Sequence, residues 1–226
     1  MGKPLSLTAA DAHRLGAYRA DPAGPPKGGV VVLQEIFGVN HHIRSVCDRF
    51  AALGYAAVAP ALFDRFARDF ESGYSPDEVA RARQFLTSID WDAFVRDTAA
   101  AVDALRGAGP VAAVGFCMGG SIAFLAATKV DGLAAAVCFY GGQIARFADS
   151  PPRCPTQMHF GEKDAHIPMS DVETIRAKRP DCAIHVYPAE HGFYCDERPS
   201  FHAESAAIAW GRSLEFLDRA ISEAAA

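Results

Sequence analysis

The stretch Gly115-Phe116-Cys117-Met118-Gly119-Gly120 constrains this chain more than any other. It follows Val111-Ala112-Ala113-Val114, an apolar run too short for a helix that reads as a buried strand. It runs into Ser121-Ile122-Ala123-Phe124-Leu125-Ala126-Ala127, whose small and apolar residues read as a buried helix. A reactive side chain therefore stands at a strand-to-helix corner, with glycines two positions before and two after it. That is the spacing of a nucleophile elbow, with cysteine where serine is more usual. The corner is tight enough that side chains beside the nucleophile would strike neighbouring backbone, and glycine has no Cβ to do so. The helix that begins there turns unpaired N–H groups and the positive end of its dipole toward Cys117, favouring a thiolate and later an oxyanion. The plainer reading, a core cysteine beside a Gly-rich turn, leaves the paired glycines unexplained.

The rest of the chain alternates between two periodicities. Gly29-Val30-Val31-Val32-Leu33 is a continuous β-branched run, as expected of a strand buried on both faces of a parallel sheet. Asn40 caps a predicted helix reaching to about Leu53, and Gly54 stops it. Tyr55–Ala59 is the next predicted strand, closed by Pro60, and residues 61–75 read as irregular. Ser75-Pro76-Asp77-Glu78 has the spacing of a capping box with proline at the first helical position, and opens a helix to about Thr87. A further helix is predicted from about Asp92 to Arg106. After the elbow come predicted strands at 133–140, 155–160 and 183–187, a short helix capped by Ser170, and a long helix from Pro199 to about Ile221. Residues 5–20 carry a faint hairpin signal. Strands alternating with helices predict one α/β domain over residues 1–226, with a mostly parallel central sheet and helices on both faces.

Bulk composition narrows the partners. Net charge is −5, with no basic run, so no nucleic-acid surface is expected. No apolar stretch is long enough to span a bilayer, and Met1-Gly2-Lys3-Pro4-Leu5 lacks a signal-peptide core. The 6 cysteines form no C-x-x-C pair and no disulfide framework, so free thiols and a cytoplasmic location are expected. His191 and Cys195, four apart, lack companion ligands at metal-site spacing, and neither metal nor other cofactor is expected. The expected partner is a small molecule, and the chain is expected to act as a monomer or homodimer.

In sheets of this kind functional residues sit at the carboxyl ends of strands. Four such loops carry reactive side chains, at Glu35, Cys117, Asp164 and His191. Nucleophile, acid and histidine follow in the chain order Cys117, Asp164, His191. Sulfur can attack a carbonyl and hold the acyl group. An imidazole with an ordinary pKa of about 6.5 can move protons at neutral pH. A buried carboxylate can fix the ring's tautomer and support its charged form. His191 is preferred because it leaves the last strand and precedes Gly192, whereas His185 sits inside that strand and His202 in the final helix. His13, His41, His42, His159 and His166 lack that position. Glu162 competes with Asp164 as the acid.

Three segments together, Gln34-Glu35-Ile36-Phe37-Gly38, the elbow, and Glu190-His191-Gly192-Phe193, resemble the dienelactone hydrolase (carboxymethylenebutenolidase) family of α/β-hydrolases. The similarity runs from about Val30 to Phe216, and Gly161-x-x-Asp164-x-x-x-Pro168 resembles the family's acid loop, which favours Asp164 over Glu162. The resemblance implies a cysteine hydrolase that opens an unsaturated, carboxylate-bearing lactone through a thioester, within aromatic-compound breakdown. It implies that Glu35 interacts with the resting nucleophile and helps deprotonate it once substrate arrives, and that backbone N–H groups of Met118 and Ile36 form the oxyanion hole. Losing one such donor typically costs about 100- to 1,000-fold in rate. The family also holds the substrate carboxylate with arginines. Arg81 is the best match to one; the other follows the family's histidine closely, where this chain has Cys195, with Arg198 displaced beyond it. Two other functions remain open from sequence: a general esterase or thioesterase on the same scaffold, and a non-catalytic relative that binds ligand or senses redox state through Cys117.

Overall fold

The computed structural model describes residues 2–226, so Met1, at the start of the domain expected over 1–226, lies outside the described residues. Eight strands form one sheet. They are β1 (Lys3–Thr8), β2 (Arg14–Ala20), β3 (Gly29–Leu33), β4 (Ala56–Pro60), β5 (Val111–Phe116), β6 (Leu133–Phe139), β7 (Thr156–Gly161) and β8 (Ala183–Tyr187). Their spatial order is β1-β2-β4-β3-β5-β6-β7-β8. From β4 to β8 every pairing is parallel, while β1 and β2 form the hairpin faintly signalled in the sequence and join β4 antiparallel.

The helices are α1 (His41–Ala52), α2 (Pro76–Arg83), α3 (Trp91–Leu105), α4 (Met118–Lys129), α5 (Ile144–Phe147), α6 (Met169–Lys178) and α7 (Ala203–Ala225). α1 and α7 cover one face of the sheet, meeting through Phe50 and Trp210 with ring centroids 4.9 Å apart. α3 and α4 pack together on the other face. β3, β4 and β5 are buried along their full length, as their unbroken apolar runs require. α4 is buried at every position from Met118 to Thr128, so it shows no polar face.

Sequence boundaries shift at several places, among them the helix opened by Ser75, which ends at Arg83 rather than about Thr87. Ser170 does not cap α6: Pro168 is the capping residue and Ser170 lies inside the first turn. The proline ring supplies the φ that a helix entry needs, and a hydroxyl acceptor is not required there. The last helix begins at Ala203 rather than Pro199, because the His202 ring accepts from the Ser205 N–H and closes the N-terminus. Tyr140 falls outside β6, its φ of +39° turning the chain away from the sheet.

The chain leaves β3 toward β4 on one side, while β5 pairs with β3 on the other. A crevice opens at such a switch, at the carboxyl ends of the strands. The register sets Leu33 beside Gly115 and Phe116 beside Phe139. The segments that follow β3, β5 and β6 therefore emerge side by side, and the loops after β7 and β8 complete the rim.

Candidate active site

Cys117 caps α4 with φ +54° and ψ −116°, the left-handed backbone of a tight elbow. The fit around it is close. A Cβ on Gly115 would lie 1.9 Å from the Gly119 carbonyl oxygen, and one on Gly119 would lie 2.3 Å from that of Leu33. Either substitution forces the helix away from the sheet, because the obstacle is backbone. The N–H of Met118, in the first turn of α4, has no carbonyl of its own helix to meet, and Met118 lines the cavity over the sulfur.

Two loops bring an imidazole and a carboxylate to the sulfur. His191, after β8, sets Nε2 3.1 Å from Cys117 Sγ and Nδ1 2.7 Å from Asp164 Oδ2. Asp164, after β7, is itself fixed: its Oδ1 accepts from the backbone N–H groups of His166 and Ile167 at 2.8 and 3.2 Å. One carboxylate oxygen shapes the loop and the other orients the imidazole. Burial disfavours charge on His191, but the negative sulfur and the bonds to Asp164 and Cys117 outweigh it, and the ring is pushed up to about 10. The arrangement can hold a thiolate beside an imidazolium, with a buried carboxylate behind.

Glu35 is buried at 1% exposure and makes no hydrogen bond to the sulfur. Its Oε1 accepts from Arg198 Nη1 at 2.9 Å, while Cys117 turns to His191. The contact with the resting nucleophile that the resemblance implied is thus absent in this conformation, because an arginine holds the carboxylate. Arg198 also lies over the rings of Phe37 and Tyr74, 5.6 and 6.0 Å from their centroids. Burial disfavours its charge, and the negative charges of Glu35 and Cys117 more than restore it. Gly192, with φ +79°, leaves room for this guanidinium, since a Cβ there would lie 2.4 Å from Arg198 Nη1.

A cavity of about 620 Å³ opens over the sulfur. Ile36, Met118, His191 and Arg198 line it, together with an apolar wall of Val79, Leu86, Ile89 and Trp91. Arg81 does not: it is exposed, with its guanidinium 5.6 Å from the Phe70 ring centroid. Residues two apart on a helix face different ways, and Arg83 lines the cavity instead. The capping box at Ser75 held a signal for this, because it sets the start of α2 and places Val79 and Arg83, four apart, on one face. Arg146 and His166 also line the cavity and carried no sequence signal of their own. Among the described residues the one group with metal-ligand proximity is His42, Asp196 and Glu197. None of its members lines the cavity over the sulfur, and its carboxylates already meet Arg49 at 3.0 Å and His41 at 2.5 Å.

A cysteine at a strand-turn-helix corner at the carboxyl end of a mostly parallel sheet, followed by an aspartate loop and then a histidine loop, fits the α/β-hydrolase fold. The profile of the dienelactone hydrolase family matches residues 15–221, and the chain belongs to that family, whose members hydrolyse lactones and esters. It is 38% identical over 218 residues to a candidate carboxymethylenebutenolidase of Synechocystis, covering 87% of this chain and 88% of the relative. It is 30% identical over 224 residues to carboxymethylenebutenolidase 1 of Cupriavidus pinatubonensis, covering 94% and 95%. The crystal structure of a candidate dienelactone hydrolase from Klebsiella pneumoniae superposes with a TM-score of 0.81 at 31% identity, over 95% of this chain and 98% of that one. No helix among the described residues is long and apolar enough to cross a membrane.

Proposed function

We propose that this chain opens a carboxylate-bearing lactone through a thioester on Cys117. The observation that carries the reading is one cavity in which His191 Nε2 lies 3.1 Å from Cys117 Sγ while the guanidinium of Arg198 stands at the same wall. The sulfur attacks the lactone carbonyl, and the N–H groups of Met118 and Ile36 take the oxyanion. As the intermediate collapses, the ring C–O bond breaks and His191 passes its proton to the departing oxygen, which stays tethered to the acyl chain. Water, deprotonated by His191, then attacks the thioester and releases the ring-opened acid with the sulfur restored. Arg198 takes the substrate's carboxylate, for which its planar fork is suited. That carboxylate competes with Glu35 for the same guanidinium, and a released Glu35 then helps move the thiol proton to His191, which delivers it to the departing oxygen.

A second reading, a broader esterase, is favoured by the cavity itself: about 620 Å³ with an apolar wall is more room than a small lactone needs. Turnover of a dienelactone against p-nitrophenyl esters separates the two. The lactone reading expects the higher kcat/KM for the dienelactone, and preference for uncharged esters overturns it. Rapid quenching with substrate should show an acyl adduct on Cys117 by mass spectrometry, and Cys117→Ala should lose both adduct and turnover. Hydrolysis that survives this substitution overturns the thioester route.

A further inference from the structure

His42, in the first turn of α1, is fully buried, and neither of its ring nitrogens makes a hydrogen bond. A buried polar group without a partner works against the fold and calls for a reason. The ring stands edge-on to Phe116 and Tyr194, with centroids 6.0 Å from each. Burial pulls its proton affinity down, so it is neutral and keeps a lone pair on one nitrogen. Nδ1 lies 3.4 Å from Asp196 Oδ1, yet the two make no hydrogen bond.

Ligating atoms of His42, Asp196 and Glu197 all lie within 4.8 Å of one another. Imidazole nitrogen and carboxylate oxygen are donors of zinc sites, each standing about 2.0–2.2 Å from the ion. Two such atoms on a tetrahedral ion are about 3.3–3.6 Å apart. His42 Nδ1 and Asp196 Oδ1 already have that spacing. The carboxylates are also held from behind. Arg49 Nη2 meets Asp196 Oδ2 at 3.0 Å, leaving Oδ1 toward His42, and His41 Nδ1 meets Glu197 Oε1 at 2.5 Å. Outer contacts of this kind orient the ligands of metal sites. Two carboxylates against one guanidinium leave the group negative, and both carboxylates are open to solvent.

We propose that His42, Asp196 and Glu197 bind one divalent cation of the zinc class, with His41 and Arg49 orienting the two carboxylates. Magnesium and calcium favour all-oxygen sets, so the imidazole selects against them. The ion joins α1 to the segment that follows His191 and carries Arg198, the residue after Glu197. Its role is to hold that segment, since none of its three ligands lines the cavity. His41 and Glu197 are 156 residues apart, so no ligand spacing in the sequence announces the site.

Zinc titration of chelator-treated protein, followed by calorimetry, tests this. Cys117→Ala is the parent for the test, because Cys117 and His191 offer zinc a sulfur and a nitrogen of their own. The parent should take up one equivalent. His41→Ala should weaken binding about 10- to 100-fold, the usual effect of losing an outer contact, and Asp196→Asn or Glu197→Gln by more. Cooperative unfolding of each metal-free variant shows that it is folded. Co²⁺ in place of zinc should bind without sulfur-to-metal charge transfer. Zinc should raise the parent's Tm and slow amide exchange across residues 192–198, and both carboxylate variants should lose these effects. No uptake by the parent, equal binding of Mg²⁺, or zinc affinity unchanged in both carboxylate variants overturns the inference.

Discussion

Cys117 sits in backbone that most side chains avoid, and what makes the position tolerable also tunes its chemistry. Left-handed backbone at a non-glycine residue costs about 1–3 kcal/mol, carried here by the packing of α4 on three strands. The same turn presses the sulfur against His191, whose proton affinity rises in answer. The folded protein therefore holds a proton on His191 that the unfolded chain releases above about 6.5. The stabilisation from this pair is fully present below about 6.5 and is lost as pH rises through about 10. Burial alone would drive the ring the other way, so the sulfur's charge is the lever. In Cys117→Ser the imidazole midpoint of His191, followed by NMR, should fall well below about 10. A midpoint unchanged by the substitution would mean that Asp164 alone carries the shift.

At the scale of elements, what could be read from sequence was whatever depends on neighbours in the chain. The elbow, the unbroken strands β3 and β5 and the capping box at Ser75 are all local patterns, and each stands in the structure, although β5 runs on to Phe116 and the capped helix stops at Arg83 rather than about Thr87. Ends set by tertiary contacts were not legible. Nothing near Pro199 announces that His202 closes α7, and nothing near Arg81 announces that Phe70 occupies it while Arg83 turns inward. Nor does any local signal say that Glu35 is gripped by an arginine 163 residues away. The cap on α2 has a consequence for the site, because the helix delivers Val79 and Arg83 to the cavity. Ser75 accepts from the Glu78 N–H while the Glu78 carboxylate accepts from the Ser75 N–H and hydroxyl. Ser75→Ala should cost about 1 kcal/mol. Amide exchange across residues 76–83 should quicken and KM should rise, while the rate of Cys117 alkylation without substrate stays the same. Unchanged exchange would show that packing, rather than the cap, holds the helix.

For the whole molecule, the site exists because strands far apart in sequence end side by side, and that order needs the sheet's antiparallel edge to be held to its body. Arg65 does much of this. Its Nε and Nη2 reach the two carboxylate oxygens of Asp97 on α3, both at 2.7 Å, and its Nη1 reaches Asp11, in the β1–β2 turn, at 3.0 Å. Asp97 is fully buried and the Arg65 side chain is only 16% exposed, which sets this pair apart from the exposed ones elsewhere on the surface. Burial pushes Asp97 up, and the Arg65 bonds pull it back. Asp11, by contrast, is held well below the usual carboxylate range by Arg65. Removing the arginine leaves Asp97 as an unpaired buried charge, a change that typically costs about 3–5 kcal/mol. For a chain of this length that lowers Tm by about 6–20 °C. Arg65→Met should show the loss in urea unfolding at neutral pH with kcat retained, because the side chain lies outside the cavity lining. The loss should shrink as pH falls, since a protonated Asp97 is no longer an unpaired charge. Adding Asp97→Leu should restore most of the stability, because an apolar pair of similar volume leaves no charge to desolvate. A loss below about 1 kcal/mol would place the pair with ordinary surface bridges and assign the hold on the edge to packing alone.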